Sequence, residues 1–440
     1  MISSSTNRAI ETKCAIREVQ HLRRRAIWAS SIGNFFELFD FAIFGFLAVT
    51  IGANFFPAED PLASLLSTFL TIAVGFIMRP IGALLIGAYG DKFGRKAALI
   101  LSFNTMAIAT GLTGLLPTFE MIGIAAPILL ILCRSIQGLA TGGEFGGAAT
   151  FLVEYAPERK RGLYGSWQQC SVGVALLTAS FLGAGLNIAL SKEQLLEWGW
   201  RIPFLLGALL GPVGYYLRSR VDESPVFERL SINGGIAKRP IKLTLSTLWK
   251  QMLLLVGITS FAVVANYLFL VFLPVFAINN LGIPASGALL ATSSAFLMFS
   301  VLPPFFGLLS DKVGRKPVIF SSAMLMLILC IPLMNFLLSS RSITSLFIVE
   351  LSIGFVLSIF VGPMIATLCE LFPSYLRYTA LSISYGCCQM IFGGFSPVVS
   401  AYLIRVTGNP IVIGWIGVSV SLLAVLTIPL IKDMSREDLP

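Results

Sequence analysis

The sequence predicts an all-α integral membrane protein, with twelve transmembrane helices in two pseudo-symmetric six-helix halves. Three observations predict it. Of 440 residues, 56% are apolar and only 12% are charged, with a mean hydropathy of +0.86; a soluble domain carries about 25% charged residues. Apolar runs of about 20 residues, the length of a bilayer-spanning helix, recur along the whole chain and lack the alternation of a membrane β-barrel. The chain also repeats itself. GAYGDKFGRK (Gly87–Lys96) returns as GLLSDKVGRK (Gly307–Lys316), and EYAPERKR (Glu154–Arg161) returns as ELFPSYLR (Glu370–Arg377). Asp91 and Asp311 stand 220 positions apart, and Glu154 and Glu370 stand 216 apart.

Taken in order, residues 1–26 are a polar, basic segment without the short apolar core and cleavage site of a signal peptide, so it is expected to stay in the cytoplasm. His21 within it is expected to be solvated. The first half spans 27–217, with runs at about 27–51, 62–89, 97–117, 122–153, 162–190 and 199–217. A basic cytoplasmic linker, 218–250, follows, broken by Asn233, Gly234, Gly235 and Pro240. The second half, 251–431, has runs at about 251–280, 286–309, 317–338, 343–369, 378–404 and 410–431, and 432–440 form a cytoplasmic tail. With both termini inside, 25 of the 31 Lys and Arg face the cytoplasm and only Lys192, Arg201, Arg341 and Arg405 face outward. The net charge of +9 therefore follows the membrane and needs no nucleic acid. Trp198 and Trp200 fall at the outer interface, where an aromatic belt is expected.

The seven cysteines, Cys14 among them, are scattered without metal-ligand spacing, and packing is their expected role. No phosphate-binding Gly-rich Lys loop, metal cluster or nucleophile triad is visible, so the chain reads as neither an enzyme nor dependent on a cofactor.

The repeated loops read as a gate. Gly87 and Gly307 permit close helix approach, Asp91 and Asp311 can face the positive N-terminus of another helix, and the following basic residues anchor the turn. Glu154 lies level with Arg95, and Glu370 with Arg315, so these are expected partners; Arg161 and Arg377 complete the set.

The costly residues lie between the gates. Gly33–Phe46, GNFFELFDFAIFGF, buries Glu37 and Asp40 in an apolar run, and a charge at mid-bilayer costs about 3 kcal/mol or more. Arg79 lies 12 before Asp91 while the matching position of the second half is Phe299, so Arg79 is outside the repeated scaffold. A bundle-facing guanidinium there suits a bidentate grip on a substrate carboxylate. Arg134, 20 before Glu154, is matched by Glu350, 20 before Glu370, so equivalent helices carry opposite charges. Asn34, Glu37 and Phe41 share a stripe assigned to substrate contact, and Glu37 lies close enough to Asp40 for their titrations to couple. Gln168, Gln169, Tyr267, Tyr385 and Gln389 are polar groups in apolar spans and candidates for the cavity wall. Glu144, among glycines, is expected to bond between helices. Glu350 reads equally as a second protonatable site and as a structural, hydrogen-bonded acid.

The doubled G-x-x-x-D-K-x-G-R-K loop on a six-plus-six chain resembles the major facilitator superfamily. MRPIGALLIGAYGDKFGRK (Met78–Lys96), RSIQGLATGGEFGGAATFLVEYAPERKRG (Arg134–Gly162), GWRIPF (Gly199–Phe204), DESPVF (Asp222–Phe227) and SYGCCQMIFGGFSP (Ser384–Pro397) narrow the likeness to its metabolite:proton symporters. That branch includes permeases for proline and betaine, α-ketoglutarate, shikimate and citrate. The resemblance implies a monomer in the bacterial inner membrane, driven by the proton gradient, whose halves rock around a central site. It also implies that Asp40 of the first helix pairs with Arg134 of the fourth, a pair whose making and breaking would switch Asp40 between charged and protonated states. One departure is local: relatives usually carry Trp and Tyr where this chain has Leu38 and Phe39.

The expected function is import of a small polar metabolite with protons. Arg79 favours an organic acid. A zwitterion such as betaine is the alternative, but the short tail lacks the coiled coil of osmosensing members. A proton-driven exporter and a non-transporting sensor are the remaining readings, the first disfavoured by the fixed charges and the second by two intact gate loops.

Overall fold

The structure, a computed structural model, describes the backbone of residues 2–58 and 61–439 and the side chains of residue 20 and of 22–58, 63, 64, 67, 68 and 70–439. The side chains of Cys14 and His21 lie outside the described residues. Helix accounts for every regular element among the described residues. Continuous apolar sequence dictates this, because a helix satisfies its own backbone polar groups where no water is available.

The twelve spans are α1 (Ile2–Phe46), α2 (Pro61–Phe93), α3 (Arg95–Leu115), α4 (Ala125–Tyr155), α5 (Arg161–Ala189) and α6 (Arg201–Ser219), then α7 (Trp249–Leu281), α8 (Ala285–Val301), α9 (Arg315–Ser340), α10 (Ile343–Glu370), α11 (Arg377–Thr407) and α12 (Val412–Thr427). Among the described residues nine helices are long and apolar enough to cross a bilayer, and two bent pairs raise the number to 11. The twelfth, α6, is a 19-residue helix interrupted by Pro212 and carrying Arg201 and Arg218. One bent pair is α1, which turns by 70° at Leu47 into Ala48–Phe55. The other is α8, which turns by 41° into Pro303–Val313, where Pro303 and Pro304 restrict the chain. Large apolar side chains such as Ile108, Leu209, Leu290 and Val301 are exposed, as a lipid-facing surface requires.

The first helix continues N-terminally of the apolar run to Ile2, so the basic segment is helical. Two sequence expectations need correction here. Arg218 belongs to α6 and is buried, so it is not a free linker charge, and the stretch behind it contains short helices at Pro225–Ile232 and Pro240–Thr247. Trp200 is not a belt residue: it is fully buried, edge-on to Phe55 at 5.4 Å, because the bend in α1 folds Phe55 back over it. Trp198 is exposed at the same end.

The halves meet where α2 packs against α11 and α5 packs against α8 and α10. Two helices loosen near the centre: α7 takes π-helical form over Ala265–Phe272, and α11 does so over Gln389–Gly393. Such bulges leave backbone groups less regularly bonded and recur at functional sites.

Candidate functional site

A cavity lies between the halves. Asn34 and Glu37 reach it from α1, Arg79 from α2, Phe145 from α4 and Gln169 from α5, facing Asn266 and Tyr267 of α7, Phe299 of α8 and Tyr385 and Gln389 of α11. Asn266, Tyr267 and Gln389 all come from the two π-helical stretches. Phe145 stacks on Tyr385 across the two halves with ring centres 3.4 Å apart, and Gln389 donates to the Tyr385 hydroxyl at 2.8 Å. Of the expected substrate residues, two do not line the cavity: Phe41, which packs on Phe76 at 5.5 Å, and Gln168. Its amide is buried and donates to the Phe145 carbonyl at 3.2 Å, while its neighbour Gln169 faces the cavity. One step along a helix turns a side chain by about 100°, and only one of the two can face inward. Asn266 was not singled out in the sequence; a lone Asn in an apolar run was its only signal.

Two ion pairs begin on α1 one helical turn apart, and they differ in kind. Arg79 Nη2 lies 3.3 Å from Glu37 Oε1, with both side chains facing the cavity. Arg79 Nε and Nη2 and Glu37 Oε2 find no hydrogen-bond partner among the described residues. The Arg79 guanidinium lies 4.6 Å from the ring centres of both Phe41 and Phe76. Asp40, in contrast, is fully buried and saturated. It accepts from Arg134 Nη1 at 2.7 Å, Thr110 Oγ1 at 2.9 Å and Gln137 Nε2 at 3.1 Å, with the Phe44 ring 3.9 Å from the Arg134 guanidinium. The expected Asp40–Arg134 pair is thus present, but it lies behind the cavity wall rather than on it. Glu37 and Asp40, expected to act on each other, each have their own arginine.

Glu144 bonds between helices, as its glycine surroundings suggested. It accepts from Ser102 Oγ at 2.6 Å and from both terminal nitrogens of Arg218. The Arg218 partner was hidden in the sequence by its membership of a basic cluster. Glu350 is fully buried, and neither carboxyl oxygen has a hydrogen-bond partner among the described residues. No group of three His, Cys, Asp or Glu among the described residues is placed to hold a metal ion.

The repeated loops meet at one end of the bundle, and there each half grips the other. Asp311 accepts from the backbone N–H groups of Gly162 and Leu163, both at 2.9 Å, at the N-terminus of α5. Its counterpart Asp91 accepts from the Thr379 N–H at 2.8 Å, at the N-terminus of α11. Arg315 contacts Asp311 at 2.6 Å and Glu370 at 3.3 Å; Arg95 contacts Asp91 at 3.2 Å and Glu154 at 3.5 Å. The partners expected within each half are therefore made. The structure adds the crossing bonds, Arg161 to Glu370 at 3.0 Å and Arg377 to Glu154 at 2.9 Å. The glycines act as expected: a Cβ on Gly307 would sit 2.5 Å from the Gly162 carbonyl oxygen, and one on Gly87 would meet the Thr379 backbone at 3.1 Å.

The repeated loops are also held by acids that the sequence reading did not anticipate. Gly94 and Gly314, at φ +113° and +104°, turn the chain into α3 and α9. Glu223 accepts from the N–H groups of Arg95 and Lys96 at 3.1 and 3.2 Å, and Asp433 accepts from that of Lys316 at 3.1 Å. The tail reaches further, since Arg161 also donates to the Glu437 carbonyl.

Comparison with known proteins shows the family and the fold. The sequence profile of the Major Facilitator Superfamily matches residues 30–382 and 255–438. The citrate-proton symporter of Klebsiella pneumoniae is 37% identical over 384 residues, covering 87% of this chain and 86% of its own. The proline/betaine transporter of Escherichia coli K12 is 33% identical over 430 residues, covering 94% and 85%. Among solved structures, the proton:xylose symporter XylE bound to 6-bromo-6-deoxy-D-glucose superposes with a TM-score of 0.78 at 16% identity, over 96% of this chain and 98% of that one.

Proposed function

From the premise that the chain belongs to the Major Facilitator Superfamily, a family of transporters rather than enzymes, we propose that it is a proton-coupled symporter importing a small organic acid by alternating access. The observation that carries the choice of substrate is Arg79: a buried guanidinium at the wall of a cavity between the halves, with Nε and Nη2 lacking hydrogen-bond partners among the described residues. An arginine in such a place matches a carboxylate in charge and in planar geometry. The likeness to a citrate-proton symporter supports the same reading.

In this reading the motif end is cytoplasmic, because the basic residues gather there, and both termini lie on that side of a bacterial inner membrane. The crossing bonds of Arg161 and Arg377 then close the cytoplasmic entrance, and the halves, tethered through 218–250, open it by separating them. Asp40 carries a proton: it charges when Arg134 is near and takes up a proton when the pair is drawn apart. Asn34, Glu37, Arg79, Gln169, Tyr267, Tyr385 and Gln389 contact the substrate. The protein acts as a monomer, and the proton gradient is the only energy source, without a cofactor.

A second reading, a proline- or betaine-like zwitterion, is favoured by Glu37 beside Arg79, since one acid and one base complement an ammonium and a carboxylate. The likeness to a proline/betaine transporter supports it. Uptake of labelled citrate, α-ketoglutarate, shikimate, proline and betaine into proteoliposomes, with and without an imposed inward proton gradient, separates the readings. An organic acid should accumulate only with the gradient; accumulation that ignores the gradient for every accepted solute defeats symport.

A further inference from the structure

We propose that Glu37 is a resident substitute for the substrate carboxylate: it pairs with Arg79 until substrate arrives, yields it to the incoming carboxylate, and binds a proton as it is displaced. The proposal rests on the carboxylate-symport reading above, and it makes Glu37 a proton site answering to substrate, separate from Asp40.

Three observations carry it. First, Glu37 and Arg79 share the cavity wall, so a ligand in the cavity meets both, whereas Asp40 lies behind it. Second, the Glu37–Arg79 contact at 3.3 Å leaves Glu37 Oε2 and Arg79 Nε and Nη2 without hydrogen bonds at the cavity wall among the described residues; Arg134 Nε and Nη2 are unbonded too but lie behind the wall, and both oxygens of Asp40 are bonded. A buried guanidinium donor without a partner is costly, and an in-plane carboxylate satisfies it. Third, the two aromatic rings beside Arg79 hold the guanidinium in place, so the acid rather than the base is the partner free to leave.

Charge balance supplies the proton. The empty pair is neutral. A carboxylate that binds Arg79 adds one negative charge to a largely apolar cavity, where an uncompensated charge is costly. One proton leaves a hydronium ion or buffer acid on the aqueous side and forms an O–H bond on the Glu37 carboxylate, which balances the charge of the one carboxylate group that binds Arg79; any further carboxylate of the ligand stands outside this exchange. Release reverses both steps. A zwitterion would set its ammonium against Glu37 instead, with no proton taken up at this residue.

Among the described residues, the charged or titratable groups that face Glu37 are few. Arg79 comes from α2, and Glu144, itself held by Arg218 of α6, comes from α4. The phenol of Tyr267 comes from α7 and that of Tyr385 from α11, while α5 presents the neutral Gln169. Of these acids, Glu37 is the one paired with the arginine that the substrate needs.

The test is citrate binding to the purified full chain in nanodiscs, by calorimetry at several pH values in buffers of different ionisation enthalpy. Wild type should take up one more proton per citrate than Glu37→Gln, and its affinity should fall about tenfold more steeply per pH unit. Citrate's own titration cancels in the difference. An infrared difference band of a protonated carboxyl should appear on citrate addition, persist in Asp40→Asn and vanish in Glu37→Gln. Equal proton uptake by wild type and Glu37→Gln overturns the exchange while leaving carboxylate binding intact. Glycine betaine binding without citrate binding overturns the carboxylate reading itself.

Discussion

The two halves are near copies at their motif end and opposites in their interior. At the motif end Asp91, Arg95 and Glu154 match Asp311, Arg315 and Glu370, and each set is crossed by one arginine of the other half. Deeper in, the first half holds three buried ion pairs, Glu37–Arg79, Asp40–Arg134 and Glu144–Arg218, whereas the second holds Glu350, which lacks a hydrogen-bond partner at the position equivalent to Arg134. Under the proposed function the difference separates two jobs. Opening and closing needs both halves equally, and that reading assigns it to what the repeat shares. The charged groups of recognition and proton binding are assigned to what only the first half has, while Tyr267, Tyr385 and Gln389 of the second half complete the cavity wall.

The largest expected effect is Asp40→Asn. Gradient-driven accumulation in proteoliposomes should fall at least about 100-fold while counterflow persists, and the buried Arg134 left without its counter-charge should lower stability by about 3–5 kcal/mol. Wild-type accumulation would remove Asp40 as a proton carrier. Next is Arg79→Lys, which replaces a planar fork by a point charge and should weaken carboxylate binding about 10- to 100-fold, read by calorimetry. Unchanged affinity would make Arg79 a packing residue.

The gate sharpens the symmetrical side of the comparison. Glu154→Gln and Glu370→Gln each weaken one crossing bond and should raise the rate of thiol labelling at a cysteine introduced beside the motif end by similar factors, about 5- to 30-fold if each bond contributes about 1–2 kcal/mol. A large effect from one and none from the other would show that the two gates are not equivalent. The smallest effect is expected from Glu350→Gln, which keeps the shape and breaks no bond that the structure contains; uptake should stay within about twofold. Loss of transport in a folded Glu350→Gln protein would place proton chemistry in the second half and break the asymmetry.

The repeat made the gate legible, because residues 216 or 220 positions apart can be compared without knowing where they fold. The same comparison isolated Arg79 and Arg134. What it missed has physical causes. Neighbours such as Gln168 and Gln169 differ by about 100° of helical phase, and a helix apolar on most sides gives no phase to choose by. Trp200 is buried by a bend in α1 for which no proline gives warning. Arg218 finds its partner 74 positions earlier in sequence, through packing that composition does not encode. The crossing bonds belong to one arrangement of the halves, and a sequence specifies several.

The segment after α12 is less slack than its length suggests. Asp433 holds the start of α9, and the Glu437 carbonyl holds Arg161, which itself grips Glu370 across the halves. A fluorescent protein or affinity handle fused close behind Glu437 would therefore pull on the latch it was meant only to follow. Reporter placement becomes part of the measurement, and a generous spacer is the simple safeguard.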